Sequence, residues 1–428
     1  MSITRPLGFR AAATTAGLKP SGKPDLALIV CDPLTPAELR AHGRPIEHRH
    51  SAAAVFTQNV VVGAPVEIGR RWRATQSRGG QALRALLVNA GCSNAATGEP
   101  GIADAIATMK CVGEGLKCST DEVLPSSTGI IGHRLNVGKI NAAIPGLIGA
   151  LARGEKADEA AASAIMTTDL VSKKAHREFE LERHQVHLGA IGKGSGMIAP
   201  QLDSAGKVVP HATMLAFITT DASVEQPCLQ IALEEACRGS FDRVSVDAHP
   251  SCSDTVILMA SGAAPVRTIH RHDPEYFAFK AALTAVCQDL AQQVVRDGEG
   301  ATRTFRVEIR GASSETAAVR IARAIVDSPL VKCAIHGKDP NWGRIVTAAG
   351  NAGVPFDTND TSLSIGGVEV YRAGLPTGVA RNDAKLLAAM NGDPVLCVLT
   401  VGDGTGSGWM IGCDLSDKYV RINADYTT

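Results

Sequence analysis

The sequence predicts a fold of the α/β class. Short runs rich in valine, isoleucine and leucine alternate with alanine-rich amphipathic stretches, the pattern of buried strands alternating with helices that cover them. A chain of 428 residues is long enough for two or three domains and a sizeable core. Its apolar content of 45% is ordinary for a globular protein.

Individual elements follow from the same pattern. The longest amphipathic stretch has apolar positions at helical spacing through Phe277, Ala281, Leu283 and Val286, which predicts that these side chains face the core. Strands are predicted at residues 26–30, 86–89, 255–260 and 395–401, and helices at 141–154, 156–166, 276–295 and 314–327.

The balance of charges argues against two kinds of binding partner. Lysine and arginine together number 43, equal to aspartate and glutamate, so no net field attracts nucleic acid or an anionic membrane. No apolar run is long enough to span a bilayer. We therefore expect neither a nucleic-acid partner nor a membrane location.

Cysteine usage indicates the compartment. The eleven cysteines are scattered singly from Cys31 to Cys413, and no Cys-x-x-Cys pair suggests a zinc or redox site. With no secretory leader recognisable, this pattern predicts reduced thiols in a cytoplasmic protein.

A glycine-rich segment is the most informative part of the chain. It reads KGSGMIAP at 193–200 and is followed by HATML at 211–215. From the residues alone this is a turn feeding a buried strand, in which a lone threonine such as Thr213 is usually structural.

Several further motifs carry a resemblance that runs along the whole chain. They are GFRAA at 8–12, KPDLALIV at 23–30, NAGCSNAATG at 89–98, STGIIG at 127–132, IMTTD at 165–169, DGEGAT at 297–302, GKDPNWGR at 337–344 and NADYTT at 423–428. In this order, and with the segment at 193–200, they resemble the ornithine acetyltransferase family, which comprises bifunctional glutamate N-acetyltransferases.

The resemblance implies an architecture and a processing event. The fold would be a layered α-β-β-α sandwich, similar in outline to N-terminal-nucleophile hydrolases, with a smaller C-terminal α/β domain from about 300 to 428. The chain would cut itself between Ala212 and Thr213. The products would be an α chain of residues 1–212 and a β chain of 213–428, assembled as two of each.

The implied reaction moves acetyl from N-acetylornithine to glutamate in arginine biosynthesis, through acetyl-Thr213. An N-terminal threonine suits such covalent catalysis, because its free α-amine can act as the base for its own hydroxyl. The family's oxyanion hole matches Thr128 and Gly129, although residues 126–129 alone would be read as a turn after a strand. Matching positions imply substrate contacts at Thr167, Lys193, Thr213, Glu299, Asn423 and Thr428. Lys193 would face a carboxylate and Glu299 the ammonium of ornithine.

No metal or cofactor is expected for this reaction, but acetyl-CoA is a possible second acyl donor, as in some family members. Two other functions stay open. One is a self-processing amidase or aminopeptidase, in which water resolves the acyl-enzyme. The other is an uncleaved paralogue that only binds acetylated amino acids.

Three segments depart from the family pattern. Residues 35–51 carry His42, His48 and His50, which could bind metal but are expected to form a solvated loop. Residues 201–211 lengthen the connection before the scissile bond. At His249 and Pro250 the family more often has small polar residues, which could alter substrate preference.

Two motifs are expected to be structural. Residues 339–344 are predicted to form a turn that supports the site. The glycine-rich run at 402–408 lacks the lysine and hydroxyl of a phosphate-binding loop, so it is predicted to be a flexible loop.

Overall fold

The computed structural model describes residues 1–42, 50–76, 82–200 and 214–425. The strands are β1 Phe9–Thr14, β2 Leu26–Cys31, β3 Ser51–Phe56, β4 Ala85–Cys92, β5 Val123–Ile130, β6 Lys173–Leu181, β7 His184–Lys193, β8 Leu215–Thr220, β9 Val244–Ser245, β10 Thr255–Ala260, β11 Thr304–Ala312, β12 Ser362–Ile365, β13 Val368–Arg372, β14 Leu375–Pro376, β15 Val395–Thr400 and β16 Gly406–Cys413. The helices are α1 Pro36–Ala41, α2 Ala64–Gln76, α3 Gly98–Leu116, α4 Val137–Gly149, α5 Glu155–Ala164, α6 Gln226–Arg238, α7 Pro274–Arg296, α8 Glu315–Val326, α9 Pro329–His336, α10 Trp342–Gly350, α11 Ala384–Ala389 and α12 Asp417–Asp425.

Two sheets form the centre of the fold. One has the strand order β1-β2-β4-β5 and the other β3-β10-β8-β7-β6. Strand β10 is buried on both faces, because Ile257 and Met259 pack towards the four-stranded sheet while Val256 and Leu258 pack towards α6 and α7. Helices α3 and α4 cover the four-stranded sheet. The layers are therefore α-β-β-α, the predicted sandwich.

A third sheet follows the sandwich along the chain. Its order is β14-β13-β12-β15-β11-β16-β9, and α8 packs on it around a core that includes Phe305, Ile321 and Leu399. Strand β9 belongs to an earlier part of the chain and pairs in parallel with β16, Ile411 opposite Val244. This pairing joins the third sheet to the sandwich.

The predicted strands and helices are confirmed, with ends shifted by a few residues. The predicted buried face of α7 is partly wrong. Phe277 is 62% exposed and Ala281 is also exposed, whereas Tyr276 and Phe279 are buried. Aromatic residues stand on both faces near the start of the helix, so spacing alone could not choose between them.

Three predictions for loops and turns are also corrected. The run at 402–408 is a loop only at its beginning, because Gly406 starts β16 and its missing side chain lets the backbone of Ser314 approach. In the segment 35–51, Thr35 caps the short helix α1 and Ser51 starts β3. His48 lies outside the described residues. The motif at 339–344 leads into α10 rather than forming only a turn.

Helices in the described part of the chain lack the combination of length and hydropathy that crossing a membrane requires.

Candidate active site

A cavity of 230 Å³ lies where the sandwich meets the C-terminal part of the chain. It brings together six of the positions that the sequence singled out, although they come from distant parts of the chain. Ala212, Thr213 and Thr428 lie outside the described residues. The six that line the cavity are Thr128, Gly129, Thr167, Lys193, Glu299 and Asn423.

The end of β5 supplies Thr128 and Gly129. Both belong to the strand itself rather than to a turn after it, and Thr128 is fully buried. Gly129 has φ of +128°, and a Cβ there would lie 2.4 Å from the carbonyl carbon of Gly91. Only glycine fits such a position. The pairing of β4 with β5 becomes irregular at this point, so the strand backbone is turned where it meets the cavity.

A buried cluster of charges forms one wall. Lys173 Nζ donates to Asp169 Oδ1 at 2.7 Å and to Asp297 Oδ2 at 2.5 Å. Lys193 Nζ lies 3.9 Å from Asp169 Oδ2, and the backbone N–H of Gly194 donates to Asp169 Oδ1 at 2.7 Å. Two ammonium groups thus balance two carboxylates, which is how charges are tolerated in a protein interior.

The environment shifts the pKa values of this cluster. Burial alone would raise the pKa of Asp169, but the charges of Lys193 and Lys173 lower it to about 2. Burial lowers the pKa of Lys193 although Asp169 favours its charged form. Lys193 Nζ also donates to Thr128 Oγ1 at 3.3 Å, which links the cluster to the hydroxyl at the end of β5.

The glycine-rich loop after β7 is held against the segment that carries Glu299. Ser195 Oγ donates to the carbonyl of Asp297 at 2.6 Å, and the N–H of Glu299 donates to the carbonyl of Ser195 at 3.0 Å. A Cβ on Gly196 would lie 2.2 Å from the Glu299 carboxyl carbon. Close packing, rather than flexibility, therefore explains this glycine.

Helix α12 contributes Asn423 to the lining of the cavity. Asn423 Nδ2 donates to Glu299 Oε2 at 2.8 Å, so the amide fixes the orientation of the carboxylate. Glu299 is only 7% exposed. The cavity therefore contains a buried ammonium, Lys193, and a buried carboxylate, Glu299. Such a pair suits a small ligand that carries both charges.

Sequence reasoning gave no role to Asp247 and Tyr419, which also line the cavity. Asp247 accepts from the N–H groups of Met197 and Ile198 at 2.7 and 2.8 Å and so anchors the glycine-rich loop. Burial raises the pKa of Asp247. Tyr419 OH donates to Asp247 Oδ2 at 3.3 Å, and burial raises the pKa of that phenol. No local motif distinguishes either residue, so the sequence contained no signal for them.

His249 also lines the cavity, whereas Pro250 is not among the lining residues. The preceding Ala248 has φ of +57°, a left-handed conformation that favours glycine. This is the segment in which the sequence departs from the family pattern, and the departure therefore reaches the cavity wall.

Strand β8 begins beside the cavity. The N–H of Met214 donates to Asp254 Oδ1, and the carbonyl of Met214 accepts from the N–H of Thr255 at 3.0 Å. The next residue, Leu215, pairs with Lys193 of β7 on one side and with Thr255 of β10 on the other. Met214, the first described residue after the glycine-rich segment, is therefore fixed by its hydrogen bonds directly before a strand that pairs with the cavity residue Lys193.

Comparisons with known proteins identify the family of this chain. The model of the ArgJ family matches residues 10–428. The arginine biosynthesis bifunctional protein ArgJ of Synechococcus sp. is 42% identical over 433 residues, which cover all of this chain and 97% of that protein. The protein of the same name from Thermosynechococcus vestitus is 43% identical, with 100% and 98% covered.

Two solved structures are also similar. The arginine biosynthesis bifunctional protein of Bacillus halodurans is 40% identical, with a TM-score of 0.47 over 49% of this chain and 98% of that one. The ornithine acetyltransferase of Mycobacterium tuberculosis, solved with ornithine, is 37% identical, with a TM-score of 0.41 over 47% and 96%.

The sandwich, its polar cavity and the full-length sequence matches define an enzyme of the acyltransferase class. The chain belongs to the ArgJ family and acts in arginine biosynthesis.

Proposed function

We propose that this chain transfers an acetyl group from N-acetylornithine to glutamate, with Thr213 as the nucleophile. The observation that carries the proposal is the single cavity in which Thr128, Gly129, Lys193, Glu299 and Asn423 meet. The names of the relatives, which include an ornithine acetyltransferase solved with ornithine, support the choice of substrates.

Thr213 immediately precedes Met214 in the sequence, and the residue after Met214, Leu215, pairs with the cavity residue Lys193. The start of β8 therefore supports a place for Thr213 near the cavity. Cleavage would begin when Thr213 Oγ attacks the carbonyl carbon of Ala212 and the peptide nitrogen leaves as an amine. Water would then hydrolyse the ester, which frees the hydroxyl of Thr213 and the carboxylate of Ala212.

The new α-amine of Thr213 would then accept the hydroxyl proton as Oγ attacks the acetyl carbonyl of N-acetylornithine. Ornithine leaves as the amine, and the acetyl group stays on Thr213 until the amine of glutamate attacks it. Each step forms an oxyanion, for which the Thr128 hydroxyl and the Gly129 N–H are the proposed donors. The bond from Lys193 to Thr128 Oγ1 polarises that hydroxyl as a donor.

Charge complementarity supports the proposed substrate contacts. Lys173 satisfies Asp169 and Asp297 at short range, which leaves Lys193 at the longer distance of 3.9 Å from Asp169 and able to bind a carboxylate. Glu299, oriented by Asn423, would bind the ammonium of ornithine. Thr167 lines the same cavity, and Thr428 is proposed as a further contact.

Cleavage at this bond would also determine the subunit composition. Residues 1–212 and 213–428 would be separate α and β chains after cleavage, assembled two and two, with a C-terminal subdomain from about 300 to 428. The reaction would need no cofactor, and acetyl-CoA would be a second possible donor. All eleven cysteines are free thiols, which supports a cytoplasmic location.

Denaturing gel electrophoresis with intact mass spectrometry tests the proposal. Wild-type protein should give two fragments that join at Ala212/Thr213, Thr213→Ala should remain one chain, and Thr213→Ser should still cleave because it keeps a hydroxyl. A single full-length chain in the wild type would contradict the mechanism and favour a paralogue that only binds its ligand.

A second assay separates transfer from hydrolysis. The cleaved enzyme should convert N-acetylornithine to ornithine at a rate that depends on glutamate, with N-acetylglutamate formed in equal amount. Release of acetate without glutamate would instead identify an amidase.

A further inference from the structure

The hairpin of β6 and β7 carries a cluster of two histidines and one glutamate that do not line the cavity described above. In this antiparallel pair Glu178 stands opposite His187, and His176 stands opposite Gly189. Residues two apart on a strand share a face, as do residues directly opposite each other. Both imidazoles and the carboxylate therefore project from the same side of the hairpin.

The distances within the cluster match those between ligands of one metal ion. Glu178 Oε1 lies 3.5 Å from His176 Nε2 and 3.4 Å from His187 Nδ1. One ligand atom from each of the three residues lies within 4.8 Å of the others. Zinc bonds of about 2.0–2.2 Å in a tetrahedron place neighbouring ligand atoms roughly 3.3–3.6 Å apart. Both measured edges are in that range.

An independent observation concerns the two imidazole nitrogens. His176 Nε2 and His187 Nδ1 are both closed to solvent, and neither has a hydrogen-bond partner among the residues that the structure describes. The rings stack with centroids 5.8 Å apart and planes inclined by 26°. Neither nitrogen makes a hydrogen bond within the described part of the chain, although both lie within 3.5 Å of Glu178 Oε1. Buried polar atoms without a hydrogen bond require an explanation, and an ion bound beside that oxygen would accept a lone pair from each nitrogen.

We propose that His176, Glu178 and His187 form a binding site for a divalent transition metal, with Zn²⁺ as the favoured ion. Two imidazoles and one carboxylate are ligands that suit Zn²⁺, and the partial exposure of Glu178 leaves room for water as the fourth ligand. The ion would join β6 to β7. The site is separate from the proposed acetyl transfer and does not depend on it.

Arg5 competes with the metal in this site. Its Nη2 donates to Glu178 Oε1 at 2.8 Å, so the guanidinium occupies the oxygen that faces both histidines. Asp221 adds a negative charge nearby, because it accepts from the N–H groups of His187 and Leu7 at 2.8 and 3.0 Å. Metal binding must displace Arg5. Removal of that side chain should therefore tighten binding, whereas removal of a ligand should weaken it.

Titration of the chelator-treated full chain with Co²⁺, followed by displacement with Zn²⁺, tests the site. The ligand-field absorption of Co²⁺ should saturate at one ion per chain, without the near-ultraviolet charge-transfer band that a thiolate ligand would give. His176→Ala and His187→Ala should each weaken binding by more than about tenfold. Arg5→Gln should strengthen it, and Zn²⁺ should raise the Tm of the wild type but not of His187→Ala.

His184→Ala is the matched control, because His184 lies on the same hairpin but outside the cluster, and this variant should bind like the wild type. Two results would overturn the proposal. One is the lack of a saturable spectrum in the wild type. The other is an affinity that His176→Ala and His187→Ala leave unchanged, which would place the ion elsewhere. Circular dichroism of each variant distinguishes lost ligands from lost folding.

Discussion

Lys193 Nζ lies 3.3 Å from Thr128 Oγ1 in a part of the cavity that is closed to solvent. The ammonium thereby connects the proposed oxyanion donor to the buried carboxylate of Asp169, which lies 3.9 Å from it. This chain of contacts makes the hydroxyl of Thr128 part of a fixed electrostatic arrangement.

Removal of that hydroxyl should slow catalysis. Thr128→Ala is expected to lower kcat by about 10²–10³, because one preorganised oxyanion donor contributes roughly 3–4 kcal/mol. Steady-state kinetics of cleaved enzyme provide the measurement. Ser126→Ala, on the same strand, removes a hydroxyl without a hydrogen-bond partner among the described residues and should leave kcat within twofold. Equal losses in both variants would indicate damage to β5 instead.

Lys173 should be essential for stability. Lys173→Met leaves the carboxylates of Asp169 and Asp297 without their closest cation, and loss of one partner from such a buried pair costs about 3–5 kcal/mol. Denaturant unfolding measures this difference. Lys110→Met, which breaks an exposed pair with Glu114, should change the free energy of unfolding by less than about 0.5 kcal/mol.

Asp169 should also make stability depend on pH in the acid range. Its folded pKa of about 2 lies below the ordinary value of 3.8 for an aspartate, so its contribution is complete above pH 4 and is lost as the pH falls towards 2. The stability gap between the wild type and Asp169→Asn should shrink by about 2 kcal/mol across that window. A gap that stays constant from pH 4.5 to 2.5 would argue against the ionised carboxylate.

A glycine at position 248 should stabilise the fold. Ala248 adopts φ of +57°, and a left-handed conformation costs a residue with a Cβ about 1–2 kcal/mol. Glycine also gives the unfolded chain more conformational entropy, which offsets part of this gain. Ala248→Gly should therefore raise the free energy of unfolding by about 0.5–1 kcal/mol. Ala142→Gly, in the middle of α4 and exposed, should instead lower it by about 1 kcal/mol.

His249 should affect substrate binding more than chemistry. It lines the cavity, so His249→Ala is expected to raise KM by about three- to tenfold while kcat stays within about twofold, as for a contact made equally in the ground and transition states. The exposed His272, outside the cavity lining, provides the control variant His272→Ala. A fall in kcat with unchanged KM would assign His249 to the reacting atoms.

The sequence predicted strands well where burial is complete. β2, β8 and β10 are buried on both faces, and apolar residues dominate their sequences. The face of α7 was harder to predict, because Phe277 is exposed and packs near Lys280 instead of entering the core. Residue spacing alone therefore does not distinguish an exposed aromatic residue from a buried one.

The cavity could not have been predicted from residue spacing. Thr128 and Asn423 are separated by almost three hundred residues, and they line one cavity because the fold brings helix α12 close to the end of β5. The resemblance supplied the positions that were named. It did not indicate Asp247 or Tyr419, whose contribution depends on contacts with the glycine-rich loop that appear only in the folded chain.

The five-stranded sheet is shared between the two sides of residue 213. β3, β6 and β7 come from before it, whereas β8 and β10 come from after it, and the spatial order β3-β10-β8-β7-β6 interleaves them. A break at this point would leave each fragment with unpaired strand edges and half of a core. The fragments should therefore copurify under native conditions, and neither should refold without the other. A chain cut in two would still unfold as a single cooperative unit.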